Sequence, residues 1–380
     1  ADGNGFGDFK YTPPTGFLST SSGNMVISSD IDPGQTDNNI PQKQFGVVTW
    51  TGDGTTGRAI TGLGFQPDLI WFKDRTQAFS HRIYDTSRGI ASNGGKRLFS
   101  NTTAAENDQT SGQDISAVGT DGFTLGASDA NYTNYNTDGN VAWCWKCGGG
   151  TTSSDDSGDI TVTRQTNDAA KFSILTYTGN GTDGQTVAHG LGVEPDFVIA
   201  TPRNSSGSNR VVWIRGLTLN GSSSEFLKLN TTASIAQSGQ IITVSSSTIG
   251  VGGNANLSSK NQLLYAWANV EGFSKFSSYV GNGNADGPFI YTGFRPRLLF
   301  IKGDNSGDWV VIDTARATVN ITNTALAWNL SNADQTSNRE LDIFSNGFKP
   351  MTSNSNLNTS GTKYMFGAWG DVPFKYNNTF

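Results

Sequence analysis

The chain has 380 residues, of which 35% are hydrophobic and only 15% charged, and its formal net charge is −6. That balance argues against the basic face that nucleic-acid binding needs, and no apolar run approaches the length of a membrane span. With 22 Phe, 9 Trp and 10 Tyr, the chain has enough core-forming mass to fold despite its Gly- and Ser-rich text.

Residues 1–44 hold Phe6, Phe9, Tyr11 and Phe17 around Pro13-Pro14, with no domain of their own to bury them. They read as an anchor arm. From residue 45 onward one sentence is written three times, and such self-similarity outranks other fold signals. The copies open with FGVVTWTGDG, FSILTYTGNG and FSSYVGNG. A second clause follows: GLGFQPDLIWFK, GLGVEPDFVIAT and TGFRPRLLFIK. A third holds IYDTSRG, VWIRG and VVIDTAR, and a fourth RLFSNTTAAE, FLKLNTTASI and LAWNLSNAD. Each copy closes on small residues and Trp: VAWCW, YAWA and FGAWG. From the turns at Gly52, Gly179 and Gly281 to Pro67, Pro195 and Pro296 the spacing is 15, 16 and 15 residues.

A period near 100 residues matches an autonomous β-sandwich. Short strand signals, Gly-rich turns and the absence of a long helical stripe predict an all-β chain of three tandem antiparallel sandwiches, jelly-roll or concanavalin-like. The expected division is an arm over 1–44, repeats over 45–147 and 172–271, and a third repeat over 272–380 with a C-terminal tail. Residues 148–171, rich in Gly, Ser and Asp, read as a linker or extended arm. The Trp143, Trp267 and Trp369 positions are expected to be equivalent.

Cys144 and Cys147 form a Cys-x-x-Cys motif, which alone suggests redox chemistry or half a zinc site. In the alignment Cys144 falls on Ala268, a small core position, and Cys147 has no counterpart. His81 and His189 lie at non-equivalent places, so the thiols read as structural, with Cys147 the more accessible. Catalysis finds little support. A glycosidase needs paired carboxylates, yet the five Glu (106, 194, 225, 271, 340) recur in no other copy. Asp85 and Asp313 share a position that is Ile214 in the second copy, and they read as satisfying loop donors beside Arg88 and Arg316. No cofactor is expected. Structural calcium has candidate ligands only in Asp30-Ile31-Asp32 and Asp155-Asp156, without an EF-hand pattern.

The strings YAWANVEGFSKFSSYVGNGNADGPFIYTGFRPRLLFIK, VAWCWKCGGG and SNGFKP…FGAWGDVPFKYNNTF resemble a family of virion proteins of tailed bacteriophages, of the marine and cyanophage type, described as tail-fibre or related structural proteins. The opening GDFKYTPPTGFLSTSSGNM resembles the end of a concanavalin-type sandwich that often precedes those repeats. The resemblance implies a non-enzymatic virion component, a tail fibre, spike or surface appendage, located in the virion. By analogy with phage fibres it implies a homo-oligomer, a trimer, held partly by the arm and touching other virion proteins, without nucleic acid or membrane insertion. Two other readings stand beside it. One is a receptor-binding protein that recognises a host-surface glycan, with Tyr132 and Tyr135 in DANYTNYNTDG as contacts; a loop anchor or subunit contact suits those tyrosines better. The other is a glycan depolymerase with an intersubunit site.

Overall fold

The computed structural model describes residues 9–17, 19, 40–90, 95–108, 114–126 and 133–371. The chain is all-β: among the described residues there is no α-helix, and the strands form antiparallel sheets. The first copy holds β1 (Phe45–Thr51), β2 (Ala59–Thr61), β3 (Leu69–Asp74), β4 (Arg82–Asp85), β5 (Lys96–Arg97), β6 (Asn107–Asp108), β7 (Ile115–Gly119), β8 (Gly122–Leu125) and β9 (Gly139–Trp145). Next come β10 (Ser153–Asp155), β11 (Val162–Asn167), β12 (Phe172–Thr178), β13 (Gln185–Ala188), β14 (Phe197–Pro202), β15 (Val211–Ile214), β16 (Glu225–Lys228), β17 (Ala236–Gln237), β18 (Ile241–Val244), β19 (Thr248–Val251) and β20 (Asn261–Trp267). The third copy holds β21 (Ser274–Val280), β22 (Ile290–Tyr291), β23 (Leu298–Gly303), β24 (Val310–Asp313), β25 (Leu326–Ala327), β26 (Leu341–Phe344), β27 (Gly347–Pro350) and β28 (Lys363–Trp369).

The three copies share one strand order. The long sheets run β1-β9-β3-β4, β12-β20-β14-β15 and β21-β28-β23-β24, and the three-stranded sheets run β2-β8-β7, β13-β19-β18 and β22-β27-β26. In each, the opening strand pairs with the closing strand, which pairs with the strand after the conserved proline. The stretch 148–171, expected as a linker, instead carries β10 and β11, which extend the second copy's long sheet beside β12.

The ladders also correct the Trp alignment. Trp145 faces Phe45 and Leu69, Trp267 faces Phe172 and Phe197, and Trp369 faces Ser274 and Leu298. The equivalent set is therefore Trp145, Trp267 and Trp369. Trp143 matches Tyr265 and Gly367, Cys144 matches Ala266 and Ala368, and Cys147 matches Asn269 and Asp371.

Because side chains alternate across a strand, each long sheet has two buried faces. In the first and third copies one face packs on that copy's own three-stranded sheet: Trp50, Ile70, Phe72 and Ala142 meet Ile60, Ile115, Phe123 and Leu125, and Leu299, Ile301 and Phe366 meet Ile290, Ile343 and Phe348. The other faces of all three long sheets join in one central core. At its end stand Trp145, Trp267 and Trp369, with ring centroids 5.2–6.1 Å apart. The next level holds Trp143, Tyr265 and Gly367. A Cβ at Gly367 would lie 2.3 Å from the Phe300 ring and 2.8 Å from that of Phe276, so the smallest residue admits two rings where its counterparts supply one each.

Each opening turn is closed by one asparagine. Asn134 accepts from the Asp53 amide and donates to Asp53 and to the Thr55 carbonyl. Asn256 and Asn358 treat Asn180–Thr182 and Asn282–Asn284 alike. The residue after each asparagine presses its carbonyl against the turn glycine. A Cβ on Gly52, Gly179 or Gly281 would sit 1.9, 2.3 or 2.3 Å from that oxygen, so only glycine fits.

Candidate functional site

Functional side chains concentrate where the copies meet, and the three junctions close a ring. From first to second copy, Arg210 Nε donates to the Phe99 carbonyl (3.2 Å). From second to third, Trp309 Nε1 donates to the Lys228 carbonyl (3.0 Å). From third back to first, His81 Nε2 donates to the Ala327 carbonyl (3.0 Å). His81, Arg210 and Trp309 occupy one repeat position, as do the three carbonyls. A second bond, this one from backbone to backbone, repeats at every junction: Glu106, Ile235 and Asp334 amides donate to the Arg203, Asp304 and Arg75 carbonyls.

Two junctions add a buried ionic clasp. Asp85 takes the Arg88 amide and its Nε (2.9 and 2.6 Å), and the second copy's Tyr265 hydroxyl donates to it (2.6 Å). Arg88 also reaches Glu106, which receives a two-pronged bond from Arg203 of the second copy. The third copy repeats this pattern. Asp313 takes Arg316 and the first copy's Trp143 Nε1 (2.9 Å), and Asp334 joins Arg316 to Arg75. Asp85, Asp313, Arg88 and Arg316 side chains are fully buried. Against the upward push of burial, Arg203 and Arg88 hold the Glu106 carboxyl below its usual range. At the remaining junction Ile214, Leu217 and Ile235 replace all three charges. The Asp-x-x-Arg loops were visible in the sequence. Their partners were not; Glu106 and Asp334 do end the fourth repeated clause in register, but their differing letters hid the shared charge.

The expected contact residues scatter. Tyr135 is 42% exposed beside the first opening turn. Tyr132 and Phe6 lie outside the described residues. Phe9, Tyr11 and Phe17 are 40%, 77% and 69% exposed, so none of these three rings is buried in the core. The sequence reading missed a patch on the third copy, where Phe289, Tyr291, Phe344 and Ile321 are exposed and Phe289 meets Phe344 edge to face at 5.6 Å. The first copy has Ala59, Thr61 and Gly119 at the three aromatic positions. That contrast was legible only once the ladders were known.

Among the described residues no group of three or more His, Cys, Asp or Glu could hold a metal ion. Asp155 spends its oxygens on Ser157 and Arg164, and Asp30 and Asp32 lie outside the described residues. Cys144 is fully buried in the first copy's own core, while Cys147 lies in the central core with Sγ 3.5 Å from the Phe172 carbonyl. Cys147 is thus buried too, contrary to the greater access expected of it. Burial pushes both thiols up, and Asp68 pushes Cys147 further. Because the thiolate is the reactive form, neither should react with a thiol reagent in the native protein, and both should do so on unfolding. Rapid native alkylation of either would contradict the packing.

Both histidines are buried neutral. Trp71 Nε1 donates to His81 Nδ1 (3.2 Å), which leaves Nε2 to donate across the junction. Burial, then the charge of Lys73, holds His81 well below its ordinary value, and burial lowers His189. Unfolded histidine takes up a proton near pH 6.5, so below that pH the unfolded state binds more protons. Stability therefore falls on acidification from about pH 6.5 towards 5, by up to about 1.4 kcal/mol per pH unit for each histidine. Urea midpoints across this range should show the slope, and it should shrink in His81→Gln.

The arrangement binds copy to copy. The ionisable groups of the two clasps hold strands of different copies together. A search of curated proteins finds no match for the chain. The chain belongs to the DUF7483 family, a domain of unknown function, whose model matches residues 40–373.

Proposed function

We propose that this chain is a non-enzymatic structural protein of a bacteriophage virion, a tail fibre, spike or surface appendage, that assembles with further copies and with other virion proteins. The observation that carries the reading is the closed ring. Its buried Asp–Arg clasps, inter-copy backbone bonds and shared aromatic core spend the chain's polar chemistry on rigidity. The sequence resemblance supplies the virion setting, and the exposed arm rings at Phe9, Tyr11 and Phe17 supply a reason for oligomerisation. Immunogold labelling of purified particles tests the location; a protein absent from the particle would end the proposal. Light scattering with and without residues 1–44 tests the oligomer, and a monomer in both cases would refute it.

A second reading, contact with a host-surface glycan, draws on the exposed Phe289, Tyr291 and Phe344 patch, because aromatic faces stack on sugar rings. A glycan array with Tyr291→Ala as control decides it, and a reducing-end assay on host polysaccharide decides the depolymerase alternative.

A further inference from the structure

Each copy's opening strand has one edge on its closing strand and one edge turned away. In β1 the flanking bonds Gly52 to Asp138 and Lys146 to Gln44 place the even-numbered residues on β9. Antiparallel alternation then turns the amides and carbonyls of Phe45, Val47 and Thr49 outward. The equivalent outward residues of β12 are Phe172, Ile174 and Thr176, and these pair with Asn167, Gln165 and Thr163 of β11. In β21 the first half of the equivalent edge is covered differently: Asn269 Oδ1 takes the Phe276 amide (2.6 Å), and Val270 donates to the Ser274 carbonyl.

Only β1 has no such cover among the described residues. No described residue pairs with the outward Val47 or Thr49 amide. Beside this edge runs a groove of about 290 Å³ lined by Lys43, Phe45, Val47 and Leu63 of the first copy and by Arg297 and Asp371 of the third. Its wall is firm: the Gly62 and Gly64 amides both donate to the Asp121 carboxylate (3.1 and 2.6 Å). β11 fills the corresponding place in the second copy, where its Gln165 reaches Thr86 and Ser87 of the preceding copy.

We propose that the outer edge of β1 is a strand-docking site for another polypeptide, which adds an extended segment there as β11 does at β12. Arg297 and Asp371 pair with each other in the lining (2.8 Å), so the segment that fits is neutral, with alternate side chains apolar. The inference rests on the sheet edge and does not depend on the virion setting.

The test uses the full chain and a synthetic peptide with the sequence of Ile160–Asn167 carrying Arg164→Gln. Amide hydrogen exchange is followed at Val47 and Thr49. Both amides should exchange readily in the free chain and slow at least tenfold with saturating peptide. Val47→Pro removes one outward donor and should weaken binding at least tenfold; Leu63→Ala, which leaves the strand intact, should weaken it severalfold. Three results would overturn the proposal. Protection in the free chain that vanishes on removing residues 1–39 would assign the edge to the chain's own stretch. Protection that rises with protein concentration alone would assign it to a second copy. No protection at millimolar peptide would close the site.

Discussion

Trp369→Ala should cost about 3–5 kcal/mol, the range for truncating a buried Trp to Ala in a packed core, and the loss should be felt by all three copies at once. The Trp369 ring is fully buried and lies within 6.3 Å, centroid to centroid, of Phe45 and Trp145 from the first copy and Phe197 and Trp267 from the second. Its removal leaves a cavity that none of the three sheets can fill alone. Urea unfolding followed by near-ultraviolet dichroism and by hydrogen exchange in each copy would show one cooperative transition moved to lower denaturant. Trp50→Ala is the contrast, because that ring packs on Phe72 and Phe123 within the first copy. If Trp369→Ala loosened the third copy only, the three units would be independent sandwiches and the ring would be wrong.

How much of this was legible follows from where each signal sits. The opening turns, the conserved proline and the Asp-x-x-Arg loops lie within one copy, and local text reports them directly. The register of the closing strand did not read correctly. VAWCW offers two tryptophans, and the Ala-Trp pair common to the other copies pointed to Trp143. A better ruler was present: Trp145, Trp267 and Trp369 each stand eleven residues after Asn134, Asn256 and Asn358, the residues that close the opening turns. β11 was hidden because Val162–Asn167 is polar at every position but Val162, and its buried Gln165 faces the hydroxyls of Thr86 and Ser87 in the neighbouring copy. Ring closure was beyond the sequence. The partners of Asp85 and Asp313, Tyr265 and Trp143, are 180 and 170 residues away and differ in kind.

Those clasps lead to the second large effect. Asp85→Ala should cost about 3–5 kcal/mol, because it strands the fully buried Arg88 guanidinium without its main counter-charge and leaves the Tyr265 hydroxyl without its acceptor. The second copy shows the alternative solution, with Ile214, Leu217 and Ile235 at the Asp85, Arg88 and Glu106 positions. Replacing a buried ionic group by well-packed apolar residues is often neutral. The triple change Asp85→Ile, Arg88→Leu, Glu106→Ile should therefore be much milder than Asp85→Ala alone. Its residual cost should come from Tyr265 and from Arg203, which is partly exposed and can turn to water. Arg203→Leu and Tyr265→Phe added to the triple variant should recover most of the remainder. Denaturant midpoints of the single, triple and quintuple variants order the series. A triple variant as unstable as the single one would mean that the charges do more than hold each other. The clasp would then be setting the angle between copies, a role the apolar junction could not copy.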